Sequence, residues 1–431
     1  MNINFQALGC RLNEAELEGW ASQFMKLGHS VTSDSADADI VVFNSCAVTS
    51  EADRKSRQQI NRLHRNNPKA KMVVTGCHAS LNPQVVQDYL GVDLVVGNDE
   101  KEVLVDRLLE NFDIPVEENK VVENSLFLRG RHRAFIKIQD GCRYRCTYCI
   151  VTIARGEERS RSVDEIISEI SFLHQSGIQE IVITGVHVGG YGSDTGSNLY
   201  ILLSEILART DIPRIRLASV EPWDLPDNFF ELFQDDRLMP HMHLPIQSGS
   251  DSVLRRMSRR CKTAEFTRIV EKARSAIPLF NITTDLIAGF PGESEQEWQQ
   301  TMKYIESVGF GHMHIFTFSP REGTKAATLS GQVDKATKKA RSREMHELAA
   351  TLKRKELERH IGSTASVLWE QELGAGQWLG YTPHYHRITS DSGDICGAST
   401  ISSVGIDQVD TSRLMLRIFN RKSGVMVDFP D

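Results

Sequence analysis

The chain has 431 residues, of which 40% are hydrophobic and 25% charged, and its formal net charge is −7. This composition is that of a globular protein and excludes collagen, coiled coil and extensive disorder, while the length predicts two to four domains. The apolar runs are far shorter than the roughly 20 residues of a transmembrane helix, and the N-terminus does not resemble a secretory signal, so we expect a cytoplasmic protein without membrane contact.

Three cysteines in the N-terminal region each follow a predicted strand: Cys10, Cys46 and Cys77. The β-rich runs before them, each leading into a helical stretch, are Ile3–Leu8, Ile40–Phe43 and Met72–Thr75. This alternation predicts an α/β fold with a doubly wound parallel sheet, in which ligands bind beyond the carboxyl ends of the strands. The three thiols either converge there as metal ligands or lie buried as small hydrophobic side chains, and their spacing leaves both interpretations open.

The segment GCRYRCTYC places three cysteines on one loop with the spacing C-x3-C-x2-C: Cys142, Cys146 and Cys149. A four-iron cluster that is fully ligated by protein needs four cysteines, so three leave one iron open. An open iron can bind the amino and carboxylate groups of S-adenosylmethionine (SAM), and an electron can then cleave the sulfonium to a carbon radical. This spacing is the radical-SAM signature, whereas the alternative zinc site usually has paired C-x2-C units and a fourth ligand. Cys261 and Cys396 have no comparable setting and are interpreted as structural.

Six β-rich runs alternate with helical stretches in the central region and predict a partial (β/α)6 barrel. The runs are Phe135–Gln139, Glu180–Gly185, Arg214–Ser219, His241–Gln247, Asn281–Phe290 and His312–Ser319. The three-cysteine loop follows the first of them. Because active sites of parallel barrels lie at the carboxyl ends of their strands, the loop lies at the predicted catalytic end.

The C-terminal segment has short β-rich runs separated by Gly, Ser, Asp and Pro, which predicts a small all-β barrel. The runs are Thr364–Glu370, Trp378–Tyr381, Tyr385–Ile388, Ile406–Val409 and Leu414–Phe419. Two stretches are locally basic, since 129–161 has nine Lys and Arg against three acidic residues and 321–361 has eleven against six. Such stretches can neutralise nucleic-acid phosphates, although a helix rich in both signs is often only a solvated face.

Motifs along nearly the whole chain resemble those of the radical-SAM methylthiotransferases. The motifs are LGCRLNEAELE, NSCAVTSEADRKSR, VTGCHAS, KIQDGCRYRCTYCIVTIARGEERSR, HLPIQSGSDSVLRRM, TTDLIAGFPGES and FSPREGT. The resemblance implies an N-terminal methylthiotransferase domain (1–115), a radical-SAM barrel (128–360) and a C-terminal TRAM domain (361–431).

The resemblance also implies two 4Fe-4S clusters on the six cysteines described above. The barrel cluster is expected to bind SAM, and the N-terminal cluster to bind or supply the transferred sulfur. One SAM molecule donates the methyl group, and a second yields the 5′-deoxyadenosyl radical that activates a C–H carbon. No side chain is expected to act as a catalytic acid or base, because the clusters carry the chemistry.

Other positions are similar to those with which radical-SAM proteins contact SAM. Tyr148, between the second and third barrel cysteines, is expected near the adenine. The further residues expected to line this pocket are Thr184, Gly185, Ser219, Glu221, Gln247, Ser248, Asp285 and Gly289. Turn chemistry is the alternative for some of them, in particular for Gly289 in a tight strand-to-helix connection.

Known substrates of the family are isopentenyladenosine in tRNA, threonylcarbamoyladenosine in tRNA and an aspartate of a ribosomal protein. The segments NSCAVTSEADRKSR, GEERSR, HIFTFSPREGT and GYTPHYHRI are most similar to the bacterial branch that acts on threonylcarbamoyladenosine. The resemblance thus implies methylthiolation of C2 of this nucleoside beside the anticodon, with the other two substrates as alternatives. The expected partners are tRNA and a flavodoxin or ferredoxin as reductant; the sequence identifies no sulfur donor.

The segment VLWEQELGAGQWLGYTPHYHRI resembles a TRAM domain, a small barrel associated with RNA binding. Exposed Trp378, Tyr381, Tyr385 and His386 are candidates for stacking on bases; burial is the alternative, and is favoured for Trp369 or Trp378. Two rival functions are a radical-SAM enzyme that modifies a protein side chain and a non-enzymatic RNA-binding protein with structural clusters.

Overall fold

The computed structural model describes residues 1–116, 132–374, 376–390 and 397–418. The N-terminal region contains a five-stranded parallel sheet. In the sheet order β2-β1-β3-β4-β5, the strands are β1 (Asn2–Ala7), β2 (Ser30–Thr32), β3 (Ile40–Ser45), β4 (Lys71–Gly76) and β5 (Leu94–Val96). The helices are α1 (Arg11–Lys26), α2 (Ser50–Asn66), α3 (Cys77–Leu81), α4 (Pro83–Gln87) and α5 (Leu104–Asn111). Successive side chains of a strand point to opposite faces, so Val42 packs with α1 and α5 while Val41 and Phe43 pack with α2. Coverage of both faces confirms the doubly wound sheet.

The central region is a partial barrel of parallel strands. Its strands are β6 (Arg133–Asp140), β8 (Glu180–Gly185), β9 (Arg214–Leu217), β10 (His241–His243), β11 (Asn281–Ala288) and β12 (His312–Thr317). The short strand β7 (Arg159–Ser160) pairs antiparallel with β6 at the edge of the sheet. The helices are α6 (Val151–Arg155), α7 (Val163–Gln175), α8 (Leu199–Arg209), α9 (Asp251–Arg256), α10 (Thr263–Ala276) and α11 (Glu295–Val308). Parallel bridges between Ile215 and Leu238 and between Ser219 and His243 join the two barrel sheets. The six predicted barrel strands are therefore confirmed in the order β6-β8-β9-β10-β11-β12.

Helix α1 of the N-terminal sheet covers the inner face of the barrel. Its Ala15 shares a buried apolar cluster with Phe135 of β6, Val182 of β8 and Ala218 just after β9. The domain that carries Cys10, Cys46 and Cys77 is thus packed against the barrel interior.

The long helix α12 (Lys335–Glu358) leads into a six-stranded, mainly antiparallel sheet. In the order β16-β13-β14-β15-β18-β17, the strands are β13 (Thr364–Gly374), β14 (Gln377–Tyr381), β15 (Arg387–Ser390), β16 (Thr400–Gly405), β17 (Gln408–Asp410) and β18 (Met415–Ile418). The core includes Trp369, which is fully buried and donates its indole N–H to Ser402 Oγ at 2.7 Å. This confirms the C-terminal all-β unit, although Thr400–Gly405 was not predicted.

A buried carboxylate joins the C-terminal sheet to the barrel. Glu180 Oε2 accepts from Arg214 Nε at 2.8 Å, and Glu180 Oε1 accepts from Arg216 Nε at 3.1 Å. The two guanidinium groups also donate to the backbone oxygens of Ser366 and Pro383, each at 3.0 Å. Since the carboxylate and both guanidinium groups are hydrogen-bonded, this polar contact fixes the C-terminal sheet at the amino ends of the barrel strands.

No helix in the described ranges is long and apolar enough to cross a membrane. The domain boundaries at 115, 128 and 361 stay predictions, because residues 117–131 are outside the described ranges. Cys396 also lies outside them, whereas Cys261 is buried in the barrel core.

Candidate active site

The thiols of Cys10, Cys46 and Cys77 meet at the carboxyl ends of β1, β3 and β4. Cys10 caps the N-terminus of α1, Cys46 follows β3, and Cys77 is the first residue of α3. Burial raises the pKa of Cys46 to about 12, and the charges of Cys10 and Cys77 raise it further. The three thiols therefore lie near one another at the same edge of the sheet.

Gly9 makes this convergence possible. Its φ of +112° lies in the left-handed region, and a Cβ at this position would lie 2.7 Å from both Cβ and Sγ of Cys46. A side chain at position 9 would therefore push Cys46 away from Cys10.

The loop that carries Cys142, Cys146 and Cys149 is fixed by backbone hydrogen bonds. The Cys142 N–H donates to Gly156 O at 3.0 Å, and the Thr147 N–H donates to Met257 O at 3.1 Å. Burial is the main cause that raises the pKa of Cys142 to about 12 and that of Cys149 to about 11. The Arg259 guanidinium, nearly buried, donates to Cys146 Sγ at 3.9 Å.

A buried polar network lies between the two sets of cysteines. Arg155 Nη1 donates to Glu16 Oε1 at 2.9 Å and to Asp140 Oδ1 at 3.0 Å, while Arg155 Nη2 donates to Asn13 Oδ1 at 2.9 Å. Lys101 Nζ donates to the other oxygen of Glu16 at 2.5 Å. Burial favours a higher pKa for Glu16, but Arg155 and Lys101 outweigh it and hold this pKa well below its usual value. Glu16 is therefore ionised.

Replacing Arg155 by methionine is expected to destabilise the protein strongly. The change removes one of the cations that pair with Asp140 and Glu16, which keep only Lys137 and Lys101. Breaking a buried ion-pair network typically costs about 3–5 kcal/mol of unfolding free energy. The matched control is Arg145→Met in the cysteine loop that precedes α6, because the Arg145 side chain is 78% exposed and its loss is expected to cost less than about 0.5 kcal/mol. Denaturant unfolding measures both, and equal losses would contradict the structural role of Arg155.

Three of the residues predicted to contact SAM lie in the cysteine loop or at the end of β8. Tyr148 is half-buried and packs with an apolar cluster that includes Met257 and Phe290. Thr184 is buried and Gly185 half-buried at the end of β8. A Cβ on Gly185 would lie only 3.0 Å from Gln139 O.

Ser219 and Glu221 follow β9. Ser219 forms a parallel bridge with His243, and the Glu221 side chain faces His187, with 3.8 Å between Oε2 and Nε2. Glu221 Oε2 is buried and has no hydrogen-bond partner in the part of the chain that the structure describes. Burial raises the pKa of this carboxyl, and its oxygen is available to a ligand donor.

Two of the remaining predicted contacts face the barrel interior, and two serve the local backbone. Asp285 Oδ1 lies 3.1 Å from His243 Nε2. The backbone N–H of Gln247 donates to the backbone oxygen of Asp285 at 2.9 Å, and Gln247 has a φ of +77°. The Ser248 hydroxyl instead accepts from the Ser250 N–H at 3.2 Å, and Gly289 has a φ of +75° in the β11–α11 turn. A SAM contact stays a prediction for each of them.

Two family models match the chain. Residues 136–305 match the Radical SAM superfamily, and residues 2–97 match the Uncharacterized protein family UPF0004. The threonylcarbamoyladenosine tRNA methylthiotransferase MtaB of Thermotoga maritima is 39% identical over 395 residues, which are 89% of this chain and 90% of the relative. The chain belongs to the radical-SAM methylthiotransferase family.

The methylthiotransferase is similar to further proteins of the same kind. The MtaB protein of Bacillus subtilis is 34% identical, and the match covers 90% of this chain and 89% of the relative. The tRNA-2-methylthio-N(6)-dimethylallyladenosine synthase of Staphylococcus haemolyticus is 32% identical, and the match covers 84% of this chain and 74% of the relative. The structure of the radical SAM methyltransferase TsrM of Kitasatospora setae aligns with a TM-score of 0.57 at 14% identity, covering 76% and 77% of the two chains, which shows the fold.

Membership implies that the methylthiotransferase uses SAM and a 4Fe-4S cluster. Three cysteines on one loop, with the unpartnered oxygen of Glu221 nearby, fit a cluster that binds SAM at an open iron. Sequence reasoning missed the residues that support this site: Asn13, Glu16, Lys101, Arg155 and Arg259. The only signal was that Asn13, Glu16 and Arg155 lie inside the motif segments.

Most of the described cations in the first basic stretch of the methylthiotransferase are paired with carboxylates of the same chain. Residues 129 and 131 lie outside the described ranges, and six of the other seven cations form ion pairs: Arg133, Lys137, Arg143, Arg145, Arg155 and Arg161. The predicted stacking residues differ as well, because His386 is buried while Trp378, Tyr381 and Tyr385 are half-buried. Tyr385 packs with its ring centroid 4.5 Å from the Arg216 guanidinium. Of the two alternatives, burial therefore holds for His386 and for Trp369, and base stacking by Trp378, Tyr381 and Tyr385 stays a prediction.

Proposed function

We propose that the chain transfers a methylthio group to C2 of threonylcarbamoyladenosine beside the anticodon of tRNA, with SAM as methyl donor and radical source. The similarity to the MtaB proteins carries this proposal. Four of them are 34–39% identical and cover 89–96% of their own length. Three tRNA-2-methylthio-N(6)-dimethylallyladenosine synthases are 32–35% identical, but the matches cover only 74–75% of the length of these relatives.

The two sets of cysteines are proposed to hold two 4Fe-4S clusters. Cys10, Cys46 and Cys77 form the auxiliary site, since the thiols meet at one sheet edge and Gly9 leaves room for their approach. When bound, the clusters and SAM supply the electron, the radical, the methyl group and the sulfur. A flavodoxin or ferredoxin is proposed as the reductant.

The protein side chains are proposed to position SAM and exclude water. Tyr148 packs near the adenine, and Glu221 Oε2 accepts a hydrogen bond from the ribose. Helix α1 covers the barrel interior through Ala15, which keeps solvent away from a radical reaction. The buried Arg155 network holds the auxiliary site against the barrel loop.

Replacing Gly9 by alanine is expected to remove the auxiliary cluster and retain the barrel cluster. Iron should fall from about eight to about four atoms per chain, because the new Cβ displaces Cys46. Gly196→Ala is the matched control, since φ is +75° there and no described atom lies within 4 Å of the added Cβ. Iron analysis after reconstitution measures the effect; unchanged iron in Gly9→Ala would contradict the arrangement of the three thiols.

The substrate is tested with the reconstituted enzyme, SAM and a reductant on three anticodon stem-loops. The three stem-loops differ only in one nucleoside, which is threonylcarbamoyladenosine, isopentenyladenosine or adenosine. The proposal predicts that only the first gains a methylthio group. Modification of the second alone would keep the reaction and overturn the substrate, while modification of none of them, with SAM cleaved, would point to a protein substrate.

A further inference from the structure

A cavity of about 340 Å³ lies inside the barrel, beside α1 and the C-terminal sheet. Its walls include the apolar side chains of Phe135, Val182 and Leu217. Its polar lining contains four cationic side chains, Arg11, Arg216, Lys353 and Arg387. It also contains five histidines, and burial lowers the pKa of four of them: His241, His312, His314 and His386. None of the described residues that line the cavity is Asp or Glu. Such a lining suits an anionic ligand of small size.

Three of the four cations form no ion pair with the described residues: Lys353, which is half-buried, and Arg11 and Arg387, which are exposed. Arg216 pairs with Glu180, which also pairs with Arg214. Lys353 is half-buried and makes no hydrogen bond or ion pair within the described part of the chain. Burial lowers the pKa of Lys353, and the positive charge of the neighbouring Arg387 lowers it further. Arg11 stacks on Phe135 and contacts only the Tyr385 hydroxyl, at 3.5 Å. A half-buried ammonium without a partner is costly unless a ligand supplies the anion.

Two neutral groups of the lining are also unsatisfied. His241 Nδ1 and Asn281 Oδ1 are both buried, and neither has a hydrogen-bond partner among the described residues. Because nearly all buried polar atoms in folded proteins are hydrogen-bonded, these two atoms indicate a ligand with donor or acceptor groups next to its anion.

The cavity extends along the barrel interior toward the predicted SAM contacts. Phe135 and Asn281 line it near the starts of β6 and β11, and Ser219, a predicted SAM contact that follows β9, lines its other end. Arg11 links it to the auxiliary site, because Arg11 follows Cys10 directly. A ligand in the cavity would thus lie in the barrel interior next to the proposed source of sulfur.

We propose that this cavity binds the threonylcarbamoyl group of the target nucleoside and that Lys353, Arg387 and Arg11 bind its carboxylate. This inference rests on the proposed substrate. The group carries one carboxylate together with a hydroxyl and a urea, which match the unpaired cations and the two unsatisfied atoms. The dimethylallyl group of the rival substrate is an uncharged hydrocarbon and would leave all of them unpaired. The cavity therefore selects between the two nucleosides.

The test measures the affinity of the reconstituted enzyme for two fluorescent anticodon stem-loops, one with threonylcarbamoyladenosine and one with adenosine at the same position. Lys353→Met and Arg387→Gln are each expected to weaken binding of the first RNA about 10- to 100-fold, as for loss of a charge-assisted hydrogen bond, and to leave the second unchanged. Lys355→Met is the matched control, because Lys355 is exposed on the same helix, and it should change neither affinity.

The outcomes separate the possible sources of the anion. Equal weakening of both RNAs would assign the cations to backbone phosphates and overturn the inference, as would a wild-type enzyme without preference between the RNAs. A wild-type enzyme that prefers the first RNA but methylthiolates only isopentenyladenosine would overturn the proposed function and keep the anion site.

Discussion

Replacing Cys46 by serine is expected to abolish methylthio transfer while SAM cleavage continues. Cys46 is buried among Cys10, Cys77 and Gly9, so loss of its sulfur removes a ligand that no neighbouring side chain replaces. The barrel cysteines lie on another loop and keep their own cluster. We expect product to fall below detection, 5′-deoxyadenosine to persist, and iron to fall from about eight to about four atoms per chain.

Cys261→Ser is the control for this change. Cys261 is also buried, and its thiol already donates to Lys262 O at 3.4 Å, so a serine hydroxyl can make the same bond. This variant should keep product and iron. Full product formation by Cys46→Ser would show that the N-terminal thiols hold no reactive cluster.

Replacing Cys146 by serine is expected to abolish both SAM cleavage and methylthio transfer. Cys146 lies on the barrel loop, and Arg259 donates to its sulfur at 3.9 Å. Loss of this ligand removes the open iron that SAM binds, so no radical forms. Liquid chromatography with mass detection should find neither 5′-deoxyadenosine nor product, while about four irons stay in the auxiliary site.

The contrast with Cys46→Ser is the informative result. If Cys146→Ser still cleaved SAM, the C-x3-C-x2-C loop would not carry the reductive chemistry. If both variants lost cleavage, the two sites would depend on each other structurally, which the Arg155 network between them would explain.

The sequence predicted the positions of the cysteines well because each follows a strong local pattern. Strands rich in Val, Ile and Phe end just before Cys46 and Cys142, and parallel strands bring their carboxyl ends to one edge. The same logic located all six barrel strands. Short strands such as Ser30–Thr32 were not predicted, because three residues do not show a period.

The contacts between domains were not predictable in this way. Arg155 pairs with Glu16 across 139 positions of sequence, and Lys101 pairs with Glu16 across 85. Nothing local indicates such partners, so the sequence left a phosphate surface and a solvated face open for the basic stretch around Arg155. It likewise left exposure and burial open for Tyr385, which packs on Arg216 at the amino ends of the barrel strands.

The central claim is tested most directly by mass spectrometry of tRNA nucleosides from cells that lack this gene, complemented with the wild-type chain or with Cys46→Ser. The account predicts that 2-methylthio-threonylcarbamoyladenosine is absent without the gene, that its unthiolated precursor accumulates, and that only the wild-type chain restores it. Loss of 2-methylthio-isopentenyladenosine instead, or no change in any tRNA nucleoside, would contradict the proposed substrate.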